Sequence, residues 1–226
     1  MSVIRVAILG AGGFAREVLW ALRDARAHGS SARFEPVAFV GLRREQHTLK
    51  GLPILTLGDL APDVHLVCGI GGMPEIKERA IADARLHGFR FAPAVIAEGA
   101  RIGPDVSIGE GSIVCAGSIV TVDVVIGRHV AINLDCTVGH DARIGDFATI
   151  SPGVHVSGRV TLGRGCYLGT NACVLEGLNI GDHAVLGAGA VATRDVPAEM
   201  LAVGVPAVVK KSRRESATGT SAHAAT

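Results

Sequence analysis

The chain has 226 residues, a formal net charge of +1 at pH 7, and a composition that is 48% hydrophobic but only 4% aromatic. This length allows one large domain or two modest ones. The near-neutral charge argues against a nucleic-acid-binding protein, because such proteins carry a large basic footprint. No run of 18 apolar residues occurs, so we expect no membrane span. The N-terminus lacks signal-peptide features and the five Cys form no CxxC pair, so we expect a reducing, cytoplasmic location.

The first ninety or so residues alternate between predicted strands and helices. The predicted strands are residues 3–9, 36–40 and 64–68. The first predicted helix carries Val18, Leu19 and Leu22 on one face and ends near Gly29, and the second covers residues 74–87. Alternation of this kind predicts a small parallel sheet with Rossmann-like topology.

A glycine-rich turn, with Gly10, Gly12 and Gly13 before Phe14, follows the first predicted strand. Such a turn can present backbone N–H groups and a helix N-terminus to a diphosphate. The sequence does not favour NAD, because the stretch after the second strand has no acid before Glu45 to bind a ribose. It leaves open a nucleotide-linked ligand without redox chemistry, or a turn that serves packing alone.

An aliphatic residue recurs every six positions in the second half of the chain, sixteen times without an insertion. The positions are Ile96, Ile102, Ile108, Val114, Val120, Ile126, Ile132, Val138, Ile144, Ile150, Val156, Leu162, Leu168, Val174, Ile180 and Leu186. Chance would produce such a run with a probability on the order of 10⁻⁵ at this composition. The residue two places earlier is mostly small, and the residue that follows is often Gly, which we expect to adopt positive φ.

A period of six matches neither a helix nor a half-buried strand, but it does match a short strand followed by a turn. Three such units form one coil of 18 residues, and coils stack through parallel-strand hydrogen bonds. The sequence therefore predicts a three-sided β-prism with inward ladders such as Val114, Ile132 and Ile150.

This pattern resembles the hexapeptide-repeat family, which folds as a left-handed parallel β-helix and consists mostly of acyltransferases. The expected fold class is an α/β Rossmann-like N-terminal domain followed by an all-β left-handed parallel β-helix. We expect a nucleotide-sugar-binding domain over 1–92, the acyltransferase β-helix over 93–192, a C-terminal extension on the coils over 193–211, and a disordered tail over 212–226.

The two halves together resemble the sugar O-acyltransferase family associated with sialic acid O-acetylation, whose relatives include UDP- and GDP-4-amino-sugar N-acetyltransferases. The resemblance rests on residues 10–17 (GAGGFARE), 70–72 (IGG), 136–141 (CTVGHD) and 203–207 (VGVPA). It implies an acetyl-CoA-dependent acyltransferase that acts on a nucleotide-linked sugar with a 4-amino group. It also implies a homotrimer with acetyl-CoA bound on the coils between neighbouring subunits.

His140 is the candidate general base, and Asp141 follows it directly. Acyl transfer needs a base for the acceptor proton and a donor for the developing oxyanion, and His is the natural base near neutral pH. Asp141 can hold one ring nitrogen only if the chain adopts a corner conformation there. From the residues alone, a solvated corner histidine remains an alternative. The resemblance implies that His140 is the base, that Asp141 orients it, and that the acceptor attacks the thioester directly.

The 18-residue coil places Gly158 next to His140, where an ordinary corner glycine is the alternative to a cofactor contact. The resemblance implies that acetyl-CoA is contacted by Thr149, Gly158, Thr170 and Ala188. It implies that the nucleotide sugar is contacted by Gly10, Gly12, Gly13, Phe14, Gly71 and Asn133. The chain departs from several members at Phe14 and Thr149, where those members have His.

Two other functions stay open at this stage. One is O-acetylation of sialic acid or another sugar hydroxyl, and the other is a non-catalytic nucleotide-sugar-binding scaffold. We expect no metal site, because His129, His155 and His183 lack metal-ligand spacing with an acid, and we expect these three at the surface. Cys136 and Cys166 are expected in the core, in the small inward positions.

Overall fold

The computed structural model describes residues 2–41, 48–72 and 74–212, with the side chains of residues 211 and 212 excepted. The predicted disordered tail from residue 213 onward lies outside the described residues. The stretch after the second predicted strand, in which no acid precedes Glu45, also lies outside the described residues from residue 42 to residue 47. Neither of the two helices in the described part of the chain is long and apolar enough to cross a membrane.

The N-terminal part is a mainly parallel sheet with one helix on each face. Its elements are β1 (Val3–Leu9), α1 (Gly13–Asp24), β2 (Arg26–Ala27), β3 (Arg33–Val40), β4 (Thr48–Leu49), β5 (Leu52–Leu55), a 3₁₀ turn (Leu57–Asp59), β6 (His65–Cys68) and α2 (Pro74–Leu86). β1 pairs in parallel with β3 and β6, and β3 pairs in parallel with β5. The three predicted strands and both predicted helices are present. The first helix ends at Asp24 instead of near Gly29, because β2 begins at Arg26.

The helices bury apolar faces against opposite sides of this sheet. α1 places Val18 and Leu22 in a cluster with Ile8. α2 places Ile81 in a different cluster with Leu66. The spacing of three and four residues puts the apolar side chains of α1 on one stripe, as an amphipathic helix requires.

The second part is a parallel β-solenoid made of two-residue strands. These are β7 (Val95–Ile96), β8 (Arg101–Ile102), β9 (Ser107–Ile108), β10 (Ile113–Val114), β11 (Ile119–Val120), β12 (Val125–Ile126), β13 (Ala131–Ile132), β14 (Thr137–Val138), β15 (Arg143–Ile144), β16 (Thr149–Ile150), β17 (His155–Val156), β18 (Thr161–Leu162), β19 (Tyr167–Leu168), β20 (Cys173–Val174), β21 (Asn179–Ile180), β22 (Val185–Leu186) and β23 (Val191–Ala192). Each strand from β7 to β20 pairs in parallel with the strand 18 residues later, as β10 does with β13. The strands thereby form three sheets, which we call the first, second and third sheet after β7, β8 and β9.

The period-six aliphatics form the solenoid core, as predicted. Fourteen of the sixteen are buried, and the ladder residues Val114, Ile132 and Ile150 are at most 1% exposed. Ile102 and Ile108 are only partly buried, because the second and third sheets begin with their strands and no earlier coil covers them. Burying each aliphatic contributes about 1.5–3 kcal/mol before entropy costs. Cys136 and Cys166 are fully buried, as predicted.

The glycines that follow the inward aliphatics serve close stacking, which corrects the expected positive φ. A Cβ on Gly139 would stand 2.5 Å from the Gly158 nitrogen and 2.7 Å from the Ser157 carbonyl carbon. Positive φ occurs two residues later, at the corner itself, where Asp141 has φ 60°. The other non-glycine corners with positive φ are Asp105, Asp123, His129, Asp135, Phe147, Arg159, Asn171, His183 and Glu199.

One sheet continues from the N-terminal part into the solenoid. β2 pairs antiparallel with both β3 and β7, so the order runs from β6 through β1, β3 and β2 into the first sheet. At the far end the first sheet continues into β24 (Met200–Val203) and β25 (Val208–Ser212). Val95 and Ile113 share a buried cluster with Val18 of α1. The two halves therefore share a core.

Candidate functional site

His140 and Asp141 form a hydrogen-bonded pair at a corner of the solenoid, between β14 and β15. The left-handed conformation of Asp141 is the corner conformation that the sequence analysis required. Nδ1–H of His140 donates to Oδ2 of Asp141 over 2.8 Å. This bond fixes the ring and leaves the Nε2 lone pair free to accept a proton. Both side chains are about half exposed, so a ligand can reach them.

Gly158 lies directly against this imidazole. A Cβ at residue 158 would stand 2.5 Å from Nε2 and 2.6 Å from Cε1 of His140. The coils are stacked here by the N–H of Arg159, which donates to the His140 carbonyl over 2.7 Å. The N–H of Gly158 itself has no acceptor among the residues that the structure describes. Glycine thus provides both the space for the ring and an unused donor beside it.

Two charged residues that the sequence analysis did not single out complete this corner. Glu176 is one coil beyond Gly158, and its Oε1 lies 3.9 Å from Nε2 of His140. Nη2 of Arg159 lies 2.7 Å from the same oxygen. Glu176 lies two 18-residue coils after His140, and Arg159 lies one coil after Asp141, so the repeat itself relates both residues to the pair. We refer to His140, Asp141, Gly158, Arg159 and Glu176 as the histidine corner.

Thr149 lies on the first sheet, at the start of β16, and faces α2. Its Oγ1 accepts a hydrogen bond from Nζ of Lys77 over 3.1 Å, and the same Nζ donates to the Ala148 carbonyl over 3.2 Å. Lys77 is only 3% exposed, and this burial lowers its pKa to about 8, although Cys68 and Glu78 act in the opposite direction. The hydroxyl of Thr149 is therefore engaged between the two halves of the chain.

Thr170 and Ala188 lie on a different corner from His140. They occupy equivalent positions 18 residues apart, after β19 and β22 of the first sheet, and the Gly189 N–H donates to the Thr170 carbonyl over 2.8 Å. The histidine corner instead follows strands of the second sheet. Within one chain, the residues predicted to contact acetyl-CoA therefore fall into two groups separated by a face of the prism.

The glycine-rich turn borders a cavity of about 720 Å³ at the carboxyl ends of the parallel strands. Its lining residues are Leu9, Gly10, Ala11, Gly12, Val40, Gly41, Thr56, Leu57, Ile70 and Ala80. Gly13 is the first residue of α1, and Gly12 caps it without a side chain. A Cβ on Gly71 would stand 3.1 Å from Cβ of Phe14, so these two residues pack together beside the turn. Open α/β sheets bind ligands in crevices of this kind.

Asn133 does not line the glycine crevice. It lines a separate cavity of about 220 Å³ between α1 and the coils, together with Glu17, Trp20 and Leu134. Its Oδ1 accepts a hydrogen bond from the Leu134 N–H over 2.8 Å, so the side-chain amide group remains available. Of the predicted sugar-nucleotide contacts, the structure brings together the four residues of the turn and Gly71, and leaves Asn133 apart.

His129 is buried, so the expectation of a surface position was wrong for this residue. It is 2% exposed, with Phe91 edge-on at 4.6 Å and Phe147 stacked at 5.2 Å between ring centroids. Its Nε2 accepts a hydrogen bond from Nη2 of Arg85 over 3.1 Å. Burial, and then the Arg85 charge, lower its pKa to about 4. The approach of α2 to this corner, which the repeat pattern does not encode, explains the burial.

The remaining histidines stay closer to expectation. His155 is exposed, and its Nδ1 lies 2.9 Å from Oγ1 of Thr137 on the preceding coil. His183 is partly buried, with Nδ1 3.9 Å from Oε1 of Glu75 on α2. In residues 2–41, 48–72 and 74–212, no group of three or more His, Cys, Asp or Glu residues is placed to hold a metal ion.

Comparisons with known proteins agree with this architecture. A family model described as the hexapeptide repeat of succinyl-transferase matches residues 98–122 and 159–194. The search of curated proteins gave no match. Among solved structures, the acetyltransferase domain of PglB from Neisseria gonorrhoeae FA1090 is 30% identical, with a TM-score of 0.81, over 91% of this chain and 99% of that domain. That domain has also been solved in complex with acetyl coenzyme A.

Two further structures are similar over nearly the whole chain. WeeI from Acinetobacter baumannii AYE is 29% identical with a TM-score of 0.80, covering 92% of this chain and 100% of that one. PerB from Caulobacter crescentus, solved with CoA and GDP-perosamine, is 33% identical with a TM-score of 0.79, covering 91% and 97%. Perosamine N-acetyltransferase from the same organism has been solved as a variant with one histidine replaced by Asn, bound to CoA and GDP-perosamine. This identity and coverage, together with the hexapeptide solenoid, show that the chain belongs to the hexapeptide-repeat sugar acyltransferase family.

Proposed function

We propose that this protein transfers the acetyl group of acetyl-CoA to the amino group of a nucleotide-linked sugar, most simply a 4-amino sugar. The observation that carries the proposal is the histidine corner, where Asp141 holds the imidazole and Nε2 faces open space beside Gly158. The relatives support it, because PglB has been solved with acetyl coenzyme A and PerB with CoA and GDP-perosamine. The reaction uses a cytoplasmic cofactor, so we place it in the cytoplasm.

The two halves of the chain divide the work in this proposal. Residues 1–92 form a Rossmann-like unit that holds the nucleotide, with Gly10, Gly12 and Gly13 presenting backbone N–H groups to the diphosphate. Phe14 and Gly71 flank that site. A crevice at the carboxyl ends of β1 and β3 supports this assignment. Residues 93–192, a left-handed coil, carry the acyl-transfer site, and residues 193–211 close the end of the coils.

The chemistry is a direct attack by the acceptor amine. The amine nitrogen bonds to the thioester carbonyl carbon while Nε2 of His140 removes one of its protons. The carbonyl oxygen becomes an oxyanion, which the free N–H of Gly158 stabilises. The C–S bond then breaks, and the CoA thiolate takes the proton back from His140. Asp141 keeps Nδ1 protonated throughout and stabilises the imidazolium.

A homotrimer completes the acetyl-CoA site in this proposal. Thr170 and Ala188 lie on one corner and Gly158 lies on another, so one chain alone does not surround the cofactor. A neighbouring copy brings the two corners together, and Thr149, on the first sheet, contacts acetyl-CoA while Asn133 contacts the nucleotide sugar. Light scattering at micromolar concentration should give three times the chain mass. A monomer mass would contradict the shared site.

The His140→Ala variant tests the proposal. Loss of general-base catalysis should lower kcat about 10²–10⁴-fold with the true acceptor. Acetyl-CoA binding and oligomeric state should change little, because the imidazole faces solvent and not the aliphatic ladder. His155→Ala, which removes another exposed imidazole of the same solenoid, is the matched control and should keep near-normal turnover. Retention of more than about a tenth of wild-type turnover by His140→Ala would exclude His140 as the base.

A further inference from the structure

Glu176 stands across an open gap from the catalytic nitrogen of His140. The two residues are separated along the stack by Gly158, which has no side chain to fill the space between them. The distance from Nε2 to Oε1 is 3.9 Å, which is too long for a direct hydrogen bond. It is short enough for one ligand nitrogen to lie about 2.9 Å from both atoms, which is hydrogen-bond distance.

We propose that Glu176 is a specificity-determining residue that selects amino over hydroxyl acceptors at the histidine corner. This inference rests on the proposed acetyl transfer. A neutral primary amine has two N–H groups and one lone pair. One N–H donates to Nε2 of His140, the second donates to the carboxylate of Glu176, and the lone pair points at the thioester carbon.

A hydroxyl acceptor cannot make the same set of contacts. Its single O–H must donate to Nε2 of His140. Only lone pairs of the hydroxyl oxygen then face the carboxylate of Glu176. An ionised carboxylate is an acceptor without a proton to donate, so that contact is repulsive. Sites built around one N–H or O–H of the substrate discriminate strongly against analogues that lack it, because a polar group is left unpaired. The geometry therefore favours N-acylation.

Arg159 is the positioning residue for this carboxylate. Its Nη2 lies 2.7 Å from Oε1 of Glu176, and its backbone adopts the left-handed corner conformation, φ 57°. This ion pair holds Oε1 of Glu176 in place beside the imidazole of His140. Oε1 has more than one lone pair, so it can accept from Arg159 and from an N–H of the amine at the same time.

The test compares Glu176→Gln with wild type on a matched pair of acceptors. The amino acceptor is whichever GDP-, UDP- or dTDP-linked 4-amino-6-deoxyhexose the wild type acetylates fastest. Its partner is the same nucleotide sugar with a hydroxyl at that carbon. The amide of Gln can donate to a hydroxyl oxygen, so the ratio of kcat/KM for amine over hydroxyl should fall about 10–100-fold. Asp105→Asn, an exposed acid at the corner position two coils before Asp141, is the control and should leave the ratio unchanged.

The outcomes separate the two claims. If wild type acetylates an amino sugar and Glu176→Gln keeps the same amine-to-hydroxyl ratio, Glu176 does not select the acceptor, although the proposed function stands. If wild type acetylates only the hydroxyl partner, the selection is overturned while acetyl transfer itself stands. If wild type acetylates neither, both claims fail. Arg159→Asn, which suits a left-handed corner, should lower the ratio in the same direction, whereas a purely structural ion pair would change stability without changing it.

Discussion

The Gly158→Ala substitution tests the seating of the catalytic imidazole. The added methyl group would stand 2.5 Å from Nε2 and 2.6 Å from Cε1 of His140, well inside van der Waals contact. The backbone is fixed by the Arg159 N–H bond to the His140 carbonyl, so the flexible, half-exposed ring must move instead. That movement breaks the Nδ1 bond to Asp141 and takes Nε2 away from the acceptor.

The expected result is a large loss of rate with little loss of stability. Turnover should fall at least about 100-fold, towards the 10²–10⁴-fold value of a missing general base. The free energy of unfolding should change by about 0.5 kcal/mol or less, since the clash is with an exposed side chain and Gly158 does not have positive φ. Steady-state CoA release and thermal unfolding measure the two quantities on the same preparation.

Gly139→Ala is the matched control, because it adds the same methyl group one coil below. Here the new Cβ would meet backbone atoms of Gly158 and Ser157 at 2.5 and 2.7 Å, and stacked backbone cannot yield as a side chain can. We expect a loss of about 1–3 kcal/mol of stability. For a chain of this size that corresponds to about 2–4 °C in Tm for each kcal/mol. Normal turnover by Gly158→Ala, or equal destabilisation by both variants, would refute the reasoning.

Three further predictions concern pH and ligand binding. The pKa of His129 is about 4 in the folded chain and 6.5 in the unfolded chain, so the unfolded chain binds an extra proton as pH falls from 6.5 to 4. Over that range the free energy of unfolding of wild type, measured with urea, should fall by up to about 3 kcal/mol more than that of His129→Phe. The pKa of Lys77 is about 8 in the folded chain and 10.5 in the unfolded chain, so the free energy of unfolding of wild type should rise by up to about 3 kcal/mol relative to Lys77→Met as pH rises from 8 to 10.5. A constant difference in unfolding free energy between the two proteins across that range would contradict the burial of the Lys77 charge. Gly12→Trp should weaken nucleotide-sugar binding, measured by calorimetry, without changing acetyl-CoA binding. The fold should persist, because a Cβ at residue 12 meets no atom within 4 Å. Equal loss of affinity for both ligands would count against separate sites.

The 18-residue coil made much of the solenoid predictable. Each pairing, such as Val138 with Val156, follows from the period alone, and so does the contact between His140 and Gly158. The same arithmetic also reaches Glu176, which lies 36 residues after His140. A single 18-residue step from His140 ends at Gly158, so only a second step connects His140 with this residue.

Contacts between the two halves could not be predicted in this way. The burial of His129 depends on the approach of α2 and Phe91, and the bond from Lys77 to Thr149 joins residues 72 positions apart. No repeat relates these residues, so only tertiary packing brings them together. The short strand β2, which links the two sheets, falls in the segment predicted as the end of the first helix, because two residues carry too little periodicity to identify a strand.

The most direct test of the central claim is acetyl transfer by the purified 226-residue protein. Acetyl-CoA is incubated with GDP-, UDP- and dTDP-linked 4-amino-6-deoxyhexoses, and thiol release is measured together with the mass of the sugar product. The account predicts that at least one of these sugars gains a single acetyl group on nitrogen, with one CoA released for each product. It also predicts a kcat in the range of ordinary enzymes, about 1–10³ s⁻¹. CoA release without an acetylated sugar, or no turnover of any amino sugar by the folded protein, would contradict it.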